Sequence, residues 1–307
     1  MTPPSPAGRS TGLALATAGG LFLSFDIPLV RLSDGGLWPV LGLRSMAIFL
    51  IALMALAGMR LVTRRWSAIR LTPASLIGGL FYGFSTMAFV AAVYHTSSAN
   101  VVFIVAFSPM IAAILSWLFL KEPPSRSTLV TMVIMLAGVS LIVSGGVSSG
   151  HLFGDCLATV AAVLIAGALT IGRASRQPMG FVPLLATIIP AGFSLVLGWS
   201  DEFTMHAPGW ALLDGIVMMP LAFWLLATAP RYLPAAEVGM FYLLETILAP
   251  VWIWLIFNEM PGTPTLIGGG IMVLALLGHS LTQIWAGRMA NRRKAAAVPI
   301  EVRQSEA

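Results

Sequence analysis

The chain has 307 residues, of which 58% are apolar and only 9% are charged, whereas roughly 25% of residues are charged in an ordinary soluble domain. This composition excludes a water-soluble globule, and the mean hydropathy of +0.91 over the whole length indicates a polytopic membrane protein. The formal net charge is +5, but the basic residues lie in short clusters between apolar runs, so no nucleic-acid partner is expected. The single cysteine, Cys156, excludes an internal disulfide.

Apolar segments, each near the roughly 20 residues that cross the hydrocarbon, follow one another along the chain. The first contains Asp26 and Pro28, which favours a membrane span over a cleaved signal peptide. The stretch from Leu71 to Leu120 has no Asp, Glu, Lys or Arg and divides at the polar run that begins at Tyr94. We predict ten spans, at residues 11–32, 37–58, 73–94, 98–120, 126–146, 152–174, 180–199, 209–230, 234–257 and 264–287.

The basic residues predict how these spans are oriented. With both termini inside, all of the 17 Lys and Arg residues except Arg31 and Arg44 fall in the inner segments, as the positive-inside rule requires. An odd number of spans would place basic loops on the wrong side from some point onward. The distribution therefore predicts an even count with cytoplasmic termini, residues 1–10 and 288–307 forming the tails, and a C-terminal basic run that contacts anionic lipid.

An internal repeat relates the fourth predicted span to the ninth. At an offset of 137 residues the two spans and their following loops share five identities, which are Ala99 with Ala236, Val101 with Val238, Trp117 with Trp254, Leu118 with Leu255 and Glu122 with Glu259. A repeat of five spans has an odd period, so its second copy enters the membrane from the opposite face. The predicted fold is all-α, with residues 11–146 and 152–287 as two inverted five-helix repeats.

Proline and glycine residues inside the spans predict bends and close contacts. Each proline removes one backbone hydrogen bond. The proline either bends or hinges its helix or is tolerated without such an effect. The prolines inside predicted spans are Pro28, Pro109, Pro183, Pro190, Pro220 and Pro250. The run Gly268-Gly269-Gly270 is expected to let another helix approach closely.

Motifs in both halves carry a family resemblance. The first half has Tyr94-His95-Thr96-Ser97-Ser98-Ala99-Asn100, Ser108-Pro109 and Lys121-Glu122, and the second has Leu233-Pro234-Ala235-Ala236-Glu237-Val238, Leu244-Glu245 and Asn258-Glu259. In order and spacing these motifs resemble the two repeats of the EamA-type drug/metabolite transporter superfamily, and Arg44 and Gly154-Asp155 match further family positions. Two positions depart from the family pattern, since Ser24-Phe25 lies where Trp-Gly is frequent and Glu245-Thr246 lies where Glu-Pro is common.

The resemblance, which covers about residues 11 to 287, implies a ten-helix transporter that moves small metabolites by alternating access through a central cavity. Exporters of aromatic and other neutral amino acids are the nearest in kind, so we expect export of such amino acids or related metabolites across a bacterial-type inner membrane. The alternative is a multidrug or other metabolite permease, with proton coupling. No Gly-Lys-Ser/Thr nucleotide loop occurs, so we expect no ATP-driven step. The alternative of an intramembrane aspartyl protease at Gly154-Asp155 lacks a second Asp at matching depth, so we expect no enzyme activity. No cofactor is expected. We expect a monomer.

Charged residues inside spans are the first candidates for a site, because each costs at least about 2.5 to 3.5 kcal/mol in hydrocarbon unless it is paired, hydrated or neutral. Asp26 and Arg44 lie at similar depths on neighbouring spans, which predicts an ion pair. That pair is either a bridge that locks the helices or a substrate clamp. Glu245 lies near the midplane with no basic neighbour in its own span, which makes it a candidate proton carrier or a permanently protonated carboxyl.

Aromatic and hydroxyl side chains complete the candidate cavity. Tyr82, Trp224 and Tyr242 lie deeper in their spans than most aromatic residues of the chain, so they either line an amphipathic cavity or pack between helices. Ser108 of the Ser-Pro motif is included with them. The histidines show no metal-ligand spacing, so no metal site is expected.

Overall fold

The computed structural model describes the chain apart from both ends and several short internal stretches, namely residues 6–63, 72–149, 151–175, 180–198, 204–229, 232–233 and 241–296. Within these residues the regular secondary structure is helical, with one isolated bridge between Gly35 and Met205. Helices are the expected form, because a backbone in hydrocarbon has to satisfy its hydrogen bonds within its own segment.

The helices take the following bounds. They are α1 (Pro6–Leu23), α2 (Asp26–Leu32), α3 (Leu37–Thr63), α4 (Pro73–His95), α5 (Ser98–Val105), α6 (Ser108–Leu120), α7 (Arg126–Ser149), α8 (Leu152–Ser175), α9 (Val182–Ala186), α10 (Ile188–Leu197), α11 (Pro208–Leu213), a π-helical turn (Asp214–Met218), α12 (Met219–Thr228), α13 (Leu243–Phe257) and α14 (Thr263–Ala296).

Single helices and runs of consecutive helices form stretches that are long and apolar enough to cross a membrane. Seven described stretches meet that standard, at Ser10–Leu32, Leu37–Leu61, Pro73–His95, Ser98–Leu120, Arg126–Gly145, Leu152–Ser175 and Pro208–Leu226. Three shorter apolar helices cover Val182–Leu197, Leu244–Phe257 and Thr263–His279. The protein is therefore an all-helical, multi-pass membrane protein. The sequence predicts the ninth span from residue 234 and a basic tail to residue 307. Of these segments, residues 234–240 and 297–307 lie outside the described residues.

Two helices run past the ends predicted for them. α3 continues to Thr63 beyond residue 58, and α14 continues to Ala296 beyond residue 287. The added residues are rich in Ala, Leu, Met, Arg and Lys, which are good helix formers. The end of an apolar run marks where hydrocarbon contact ends, and it does not by itself end a helix.

Helix interruptions occur just before several of the interior prolines. α1 gives way to α2 at Ser24 and Phe25, before Pro28, and α5 gives way to α6 at Ala106 and Phe107, before Pro109. Proline lacks an N–H and its ring clashes with the carbonyl four residues earlier, so the backbone opens at those positions. Thr187 before Pro190 and the π-helical turn before Pro220 follow the same rule. α13 runs through Pro250 without a break.

Close contacts between helices depend on small residues. α4 packs along α8, α7 along α14, α1 along α12 and α3 along α10. At the α7–α14 contact, a Cβ added at Gly268 would lie 2.6 Å from the carbonyl oxygen of Gly138. A Cβ at Gly269 would meet the ring of Phe103, whereas one at Gly270 would meet nothing within 4 Å. The prediction of close packing is therefore confirmed for the first two glycines of the run and wrong for the third.

Candidate functional site

A buried cluster of one arginine and two aspartates joins α2, α3 and the π-helical turn. Arg44 on α3 is 1% exposed, Asp26 on α2 is 5% exposed, and Asp214 is fully buried. The Arg44 Nε–H donates to Asp214 Oδ2 at 2.8 Å, and its Nη2 donates to Asp26 Oδ1. The predicted Asp26–Arg44 ion pair is confirmed, and the structure adds a second carboxyl to it.

The interruption between α1 and α2 places Asp26 in this cluster. Trp252 of α13 fits against the interruption, where its indole N–H donates to Ser24 Oγ at 2.9 Å. The same indole stacks on Phe25 with ring centroids 4.8 Å apart. Asp26 therefore begins a short helix whose entry is held by a neighbouring span, and Pro28 two residues later has no N–H to be satisfied.

The π-helical turn places Asp214 opposite. Pro220 follows it, and the turn with its wider i to i+5 hydrogen bonding accommodates the missing N–H and the bulk of the proline ring. A Cβ at Gly215 would lie 2.6 Å from the carbonyl oxygen of Arg44, so glycine lets this turn lie directly on α3. Asp214 is brought to the guanidinium by that close approach.

A half-buried acid and two tyrosines extend the cluster. Glu245, near the start of α13, interacts electrostatically with Asp26. Tyr242 interacts in the same way with Glu245, and Tyr82 of α4 interacts with Tyr242. Tyr242 is 43% exposed. Among the described residues Glu245 has no ion-pair partner. We call Asp26, Arg44, Asp214, Glu245, Tyr242 and Tyr82 the interior cluster.

Two candidate residues lie elsewhere. Ser108 is buried at the interruption between α5 and α6, where its hydroxyl donates to the carbonyl of Val105. That carbonyl is the one that Pro109 leaves without an N–H donor, so the Ser108 hydroxyl takes the place of the missing hydrogen bond. Trp224 on α12 is 59% exposed and has no contact with the interior cluster among those recorded for the described residues.

A paired segment closes one end of the helix bundle. The backbone of residues 33–36, between α2 and α3, pairs with residues 204–207, which precede α11. His206 N–H donates to the Asp34 carbonyl at 3.0 Å and Ala207 N–H to the Ser33 carbonyl at 3.2 Å. Tyr94 O–H at the end of α4 donates to the carbonyl of Gly35 at 2.9 Å. We call residues 33–36 and 204–207 the clasp.

An ion pair lies at the same end of the bundle. Arg31, at the end of α2, pairs with Glu259 in the turn between α13 and α14. Its guanidinium also donates to Ser98 Oγ at 3.2 Å and lies 4.7 Å from the ring centroid of Phe257. These contacts tie the end of the first span to the start of α5 and to the end of α13.

A hydrogen-bond network of uncharged side chains surrounds a third buried aspartate. Asp155, in the first turns of α8 and 1% exposed, accepts from Thr96 Oγ1 at 2.6 Å and from Asn100 Nδ2 at 3.1 Å. Asn100 Oδ1 in turn accepts from Thr265 of α14 at 2.7 Å. Asp155 therefore fastens three spans together, and its two donors satisfy a carboxylate.

Asp214 is the functional candidate that sequence reasoning missed. It lies five residues inside the predicted span 209–230, where any carboxyl is costly and requires a partner or a proton. That rule, applied to every span, would have found it. Among the described residues no group of three or more His, Cys, Asp or Glu side chains is arranged to hold a metal ion.

Known proteins resemble this chain in sequence. A sequence model of the EamA-like transporter family matches residues 10–144 and again residues 152–281. The pseudopaline exporter CntI of Pseudomonas aeruginosa strain UCBPP-PA14 is 24% identical over 220 residues, which are 69% of this chain and 76% of that protein. CntI of strain PAO1 is 23% identical over the same shares.

The fold is also that of a solved structure. A crystal structure with 16% sequence identity superposes with a TM-score of 0.62, and the alignment covers 89% of this chain and 98% of that one. At this identity the likeness concerns the fold alone.

Proposed function

The chain belongs to the EamA-like transporter family, and from that premise we propose that it is a secondary transporter that exports small neutral amino acids, aromatic ones among them, or related metabolites. Transport proceeds by alternating access through a central cavity between two five-helix halves. The interior cluster is the single observation that carries the proposal, because it places acid, base and aromatic groups together inside an otherwise apolar bundle.

The pattern of helix packing supports two inverted repeats. α4 with α8 joins the third and sixth predicted spans, and α1 with α12 joins the eighth and first. A shift of five spans converts the first of these pairs into the second. Three further contacts join spans that are five apart in the chain, namely spans two and seven (α3–α10), four and nine (α5–α13) and five and ten (α7–α14). A shift of five spans exchanges the two members of each such pair, so each pair is converted into itself. A two-fold relation between halves requires this pattern, and the double match of the family model agrees with it.

The clasp lies on the periplasmic side in this proposal, with both termini in the cytoplasm. The loops at the clasp end carry Arg31 as their one basic residue, whereas the segments assigned to the other end carry most of the Lys and Arg side chains. The protein then resides in a bacterial-type inner membrane as a monomer, in contact with lipid and a small-molecule substrate.

The interior cluster suits a zwitterion with an apolar side chain. Glu245 offers an unpaired carboxylate to the substrate ammonium, and the Tyr242 and Tyr82 rings offer aromatic surface. Arg44 offers the planar fork that binds a carboxylate. Since Asp26 and Asp214 occupy that fork here, the substrate carboxylate has to displace one of them, and Glu245 makes the first contact.

Glu245 is also the proton-coupling candidate. A carboxyl in the interior of a membrane protein, with no ion-pair partner among the described residues, binds either a proton or a cationic group. Exchange of a proton for the substrate ammonium at Glu245 would couple export to the proton gradient. No nucleotide-binding loop occurs in the chain, and the proposal requires none.

Counterflow of labelled neutral amino acids in proteoliposomes tests the proposal, with and without an imposed pH gradient. Substrate-dependent exchange that the gradient accelerates is the expected result. Absence of exchange across a panel of neutral amino acids, with the protein shown to be folded by its helical circular dichroism, would refute the amino-acid substrate.

A second candidate substrate class comes from the relatives named above. CntI is an exporter of pseudopaline, so another metabolite, or a drug in the manner of a multidrug permease, is the alternative cargo. Pseudopaline included in the same counterflow panel separates the two. Exchange of pseudopaline without exchange of any amino acid would transfer the proposal to that class.

A further inference from the structure

The charges of the Asp26–Arg44–Asp214 cluster do not balance when all three groups are ionised. Two carboxylates and one guanidinium carry a net charge of −1, and all three side chains are at least nine-tenths buried. An uncompensated charge in such surroundings costs several kcal/mol. One proton bound to a carboxyl makes the cluster neutral.

One carboxyl oxygen of the cluster shows where that proton is needed. Asp214 Oδ2 accepts from Arg44, whereas Asp214 Oδ1 is buried and has no hydrogen-bond partner among the described residues. A buried polar atom without a partner calls for an explanation by an unseen ligand or proton. Asp26 and Asp214 bind the same Arg44 guanidinium, which brings their carboxyl groups close to each other. Two carboxylates are both acceptors, so a hydrogen bond between them requires a proton on one of them.

We propose that Asp214 carries an exchangeable proton, which it donates to Asp26, and that this carboxyl pair is a proton-binding site distinct from Glu245. The site itself stands on the geometry of the cluster. Its use in transport rests on the proposed function and works as follows. With the proton bound, Arg44 holds a neutral cluster together beneath the clasp. Loss of the proton leaves a net negative charge that is relieved only when water or a cation enters, so the spans separate.

Among the described residues, no second positive side chain lies beside Asp26 and Asp214 to neutralise the extra negative charge. On the elements that pack against the π-helical turn, α2 carries Arg31, which is paired with Glu259, and α3 carries Arg60, sixteen residues beyond Arg44 and about 24 Å along the helix axis. α11 and α12 carry no titratable side chain. Glu245 of α13 interacts electrostatically with Asp26, and Tyr94 of α4 with Arg44, but neither side chain supplies a positive charge.

Asp155 shows how a buried aspartate outside the Arg44 cluster is satisfied in this protein. It receives donors from Thr96 and Asn100. Asp214 has one donor, one unpartnered oxygen and a carboxyl neighbour. Asp155 is therefore a matched control, because it is a second aspartate of similar burial that lies outside the proposed carboxyl pair.

Infrared spectroscopy of the purified full-length protein at neutral pH tests the proposal without any substrate. We expect a carbonyl stretching band of a protonated carboxylic acid, and we expect that band to shift when aspartate is labelled with ¹³C at its side-chain carboxyl. Labelling aspartate alone separates this proton from one on Glu245. The band should be lost reversibly on titration to alkaline pH.

Variants assign the band to the pair. Asp214→Asn should lose it, because the carboxyl is gone. Asp26→Asn should lose it as well, because Asp214 is then balanced one to one by Arg44 and stays ionised. Asp155→Asn should keep it. A wild-type spectrum with no aspartate-dependent band, or a band that persists in both Asp214→Asn and Asp26→Asn, would overturn the proposal. The isotope shift in the wild-type protein shows whether an aspartate is protonated, even where one variant does not fold.

The role in transport has its own readout. The acceleration of counterflow by a pH gradient should be lost in Asp214→Asn and kept in Glu122→Gln, which changes an exposed carboxyl outside the clasp and the interior cluster. Acceleration that persists in Asp214→Asn overturns the coupling role. Absence of wild-type counterflow contradicts the proposed function and leaves the infrared result on the proton site standing, so the two failures are distinguishable.

Discussion

Arg44 is the residue on which the interior cluster depends. Arg44 is 1% exposed, and its guanidinium is the common partner of Asp26 and Asp214, which come from separate parts of the chain. The attraction within a buried ion pair roughly offsets the cost of removing its charges from water, but loss of one member leaves the others uncompensated. Arg44 therefore contributes more by preventing isolated buried carboxylates than by adding net stability.

Arg44→Ala is expected to lower the free energy of unfolding by about 3–5 kcal/mol, because two buried carboxyls lose their cation. Reversible denaturation in detergent micelles measures this quantity. Arg173→Ala is the matched control, since Arg173 pairs with Glu122 at the exposed surface, and its loss should cost less than about 1 kcal/mol. Equal losses in the two variants would contradict the structural role given to Arg44.

Glu245→Gln is expected to abolish the acceleration of counterflow by a pH gradient, since the amide cannot exchange a proton. Glutamine keeps the size of the side chain, so the fold should be retained. Transport rates in proteoliposomes at several pH values measure the effect, with Glu122→Gln at the exposed ion pair as control. Normal transport by Glu245→Gln at every pH would exclude proton coupling through this residue.

Some residues of the site can be predicted from the sequence and others cannot. The Asp26–Arg44 pair follows from depth, because two charges of opposite sign at one level of a membrane attract and the hydrocarbon offers no better partner. Depth alone does not select between neighbouring spans, so the third member, Asp214, required the tertiary structure. Ser108 is predicted as a cavity residue, but its hydroxyl donates to the backbone carbonyl that Pro109 leaves without a hydrogen bond. The hydroxyl proton is therefore already used within the helix.

At the scale of helices, the interior prolines have unequal effects. Pro28, Pro109, Pro190 and Pro220 follow an interruption or a π-helical turn, whereas Pro250 lies inside an unbroken α13. The proline alone predicts the loss of one hydrogen bond. Whether the helix opens depends on what else satisfies the freed carbonyl, and the interruption before Pro28 is supported by Trp252 on Ser24 and Phe25.

The α7–α14 contact provides a matched pair of substitutions. Gly268→Ala should destabilise the protein by about 1–3 kcal/mol, because its methyl group would overlap the carbonyl oxygen of Gly138. Gly270→Ala, two positions along the same helix, should stabilise by up to about 1 kcal/mol, because its methyl group meets nothing within 4 Å and alanine favours the helix. Thermal unfolding in detergent compares them, and equal effects would show that α7 and α14 do not approach as closely as described.

At the scale of the whole molecule, polar contacts are layered at one end of the bundle. The clasp and the Arg31–Glu259 pair lie at the surface, and the Arg44 cluster lies seven residues into α3, about 10 Å deeper. The clasp pairs a turn of the first half with a segment of the second. In an alternating-access cycle this end has to open once per turnover, so the clasp has to break and form again.

A disulfide across the clasp tests that requirement. Gly35 and Met205 form the isolated antiparallel bridge, and Cα atoms paired in this way lie about 4.5–5.5 Å apart, within the range of a disulfide. Gly35→Cys with Met205→Cys, in a Cys156→Ser background, should lose counterflow on oxidation and regain it on reduction. Each single variant should be insensitive to oxidant. Full transport by protein shown to be cross-linked would mean that the clasp stays closed during transport.

The membrane class, the order of the apolar segments and the ion pair between Asp26 and Arg44 follow from the amino-acid sequence, because hydrocarbon imposes length, apolarity and charge pairing on each span locally. The folded structure was needed to show that Asp214 joins that pair, that the Ser108 hydroxyl binds a backbone carbonyl, and that residues 33–36 pair with residues 204–207. Those contacts join positions far apart in the chain. They depend on which helix faces pack together, and periodicity and depth along one span carry no information about that choice.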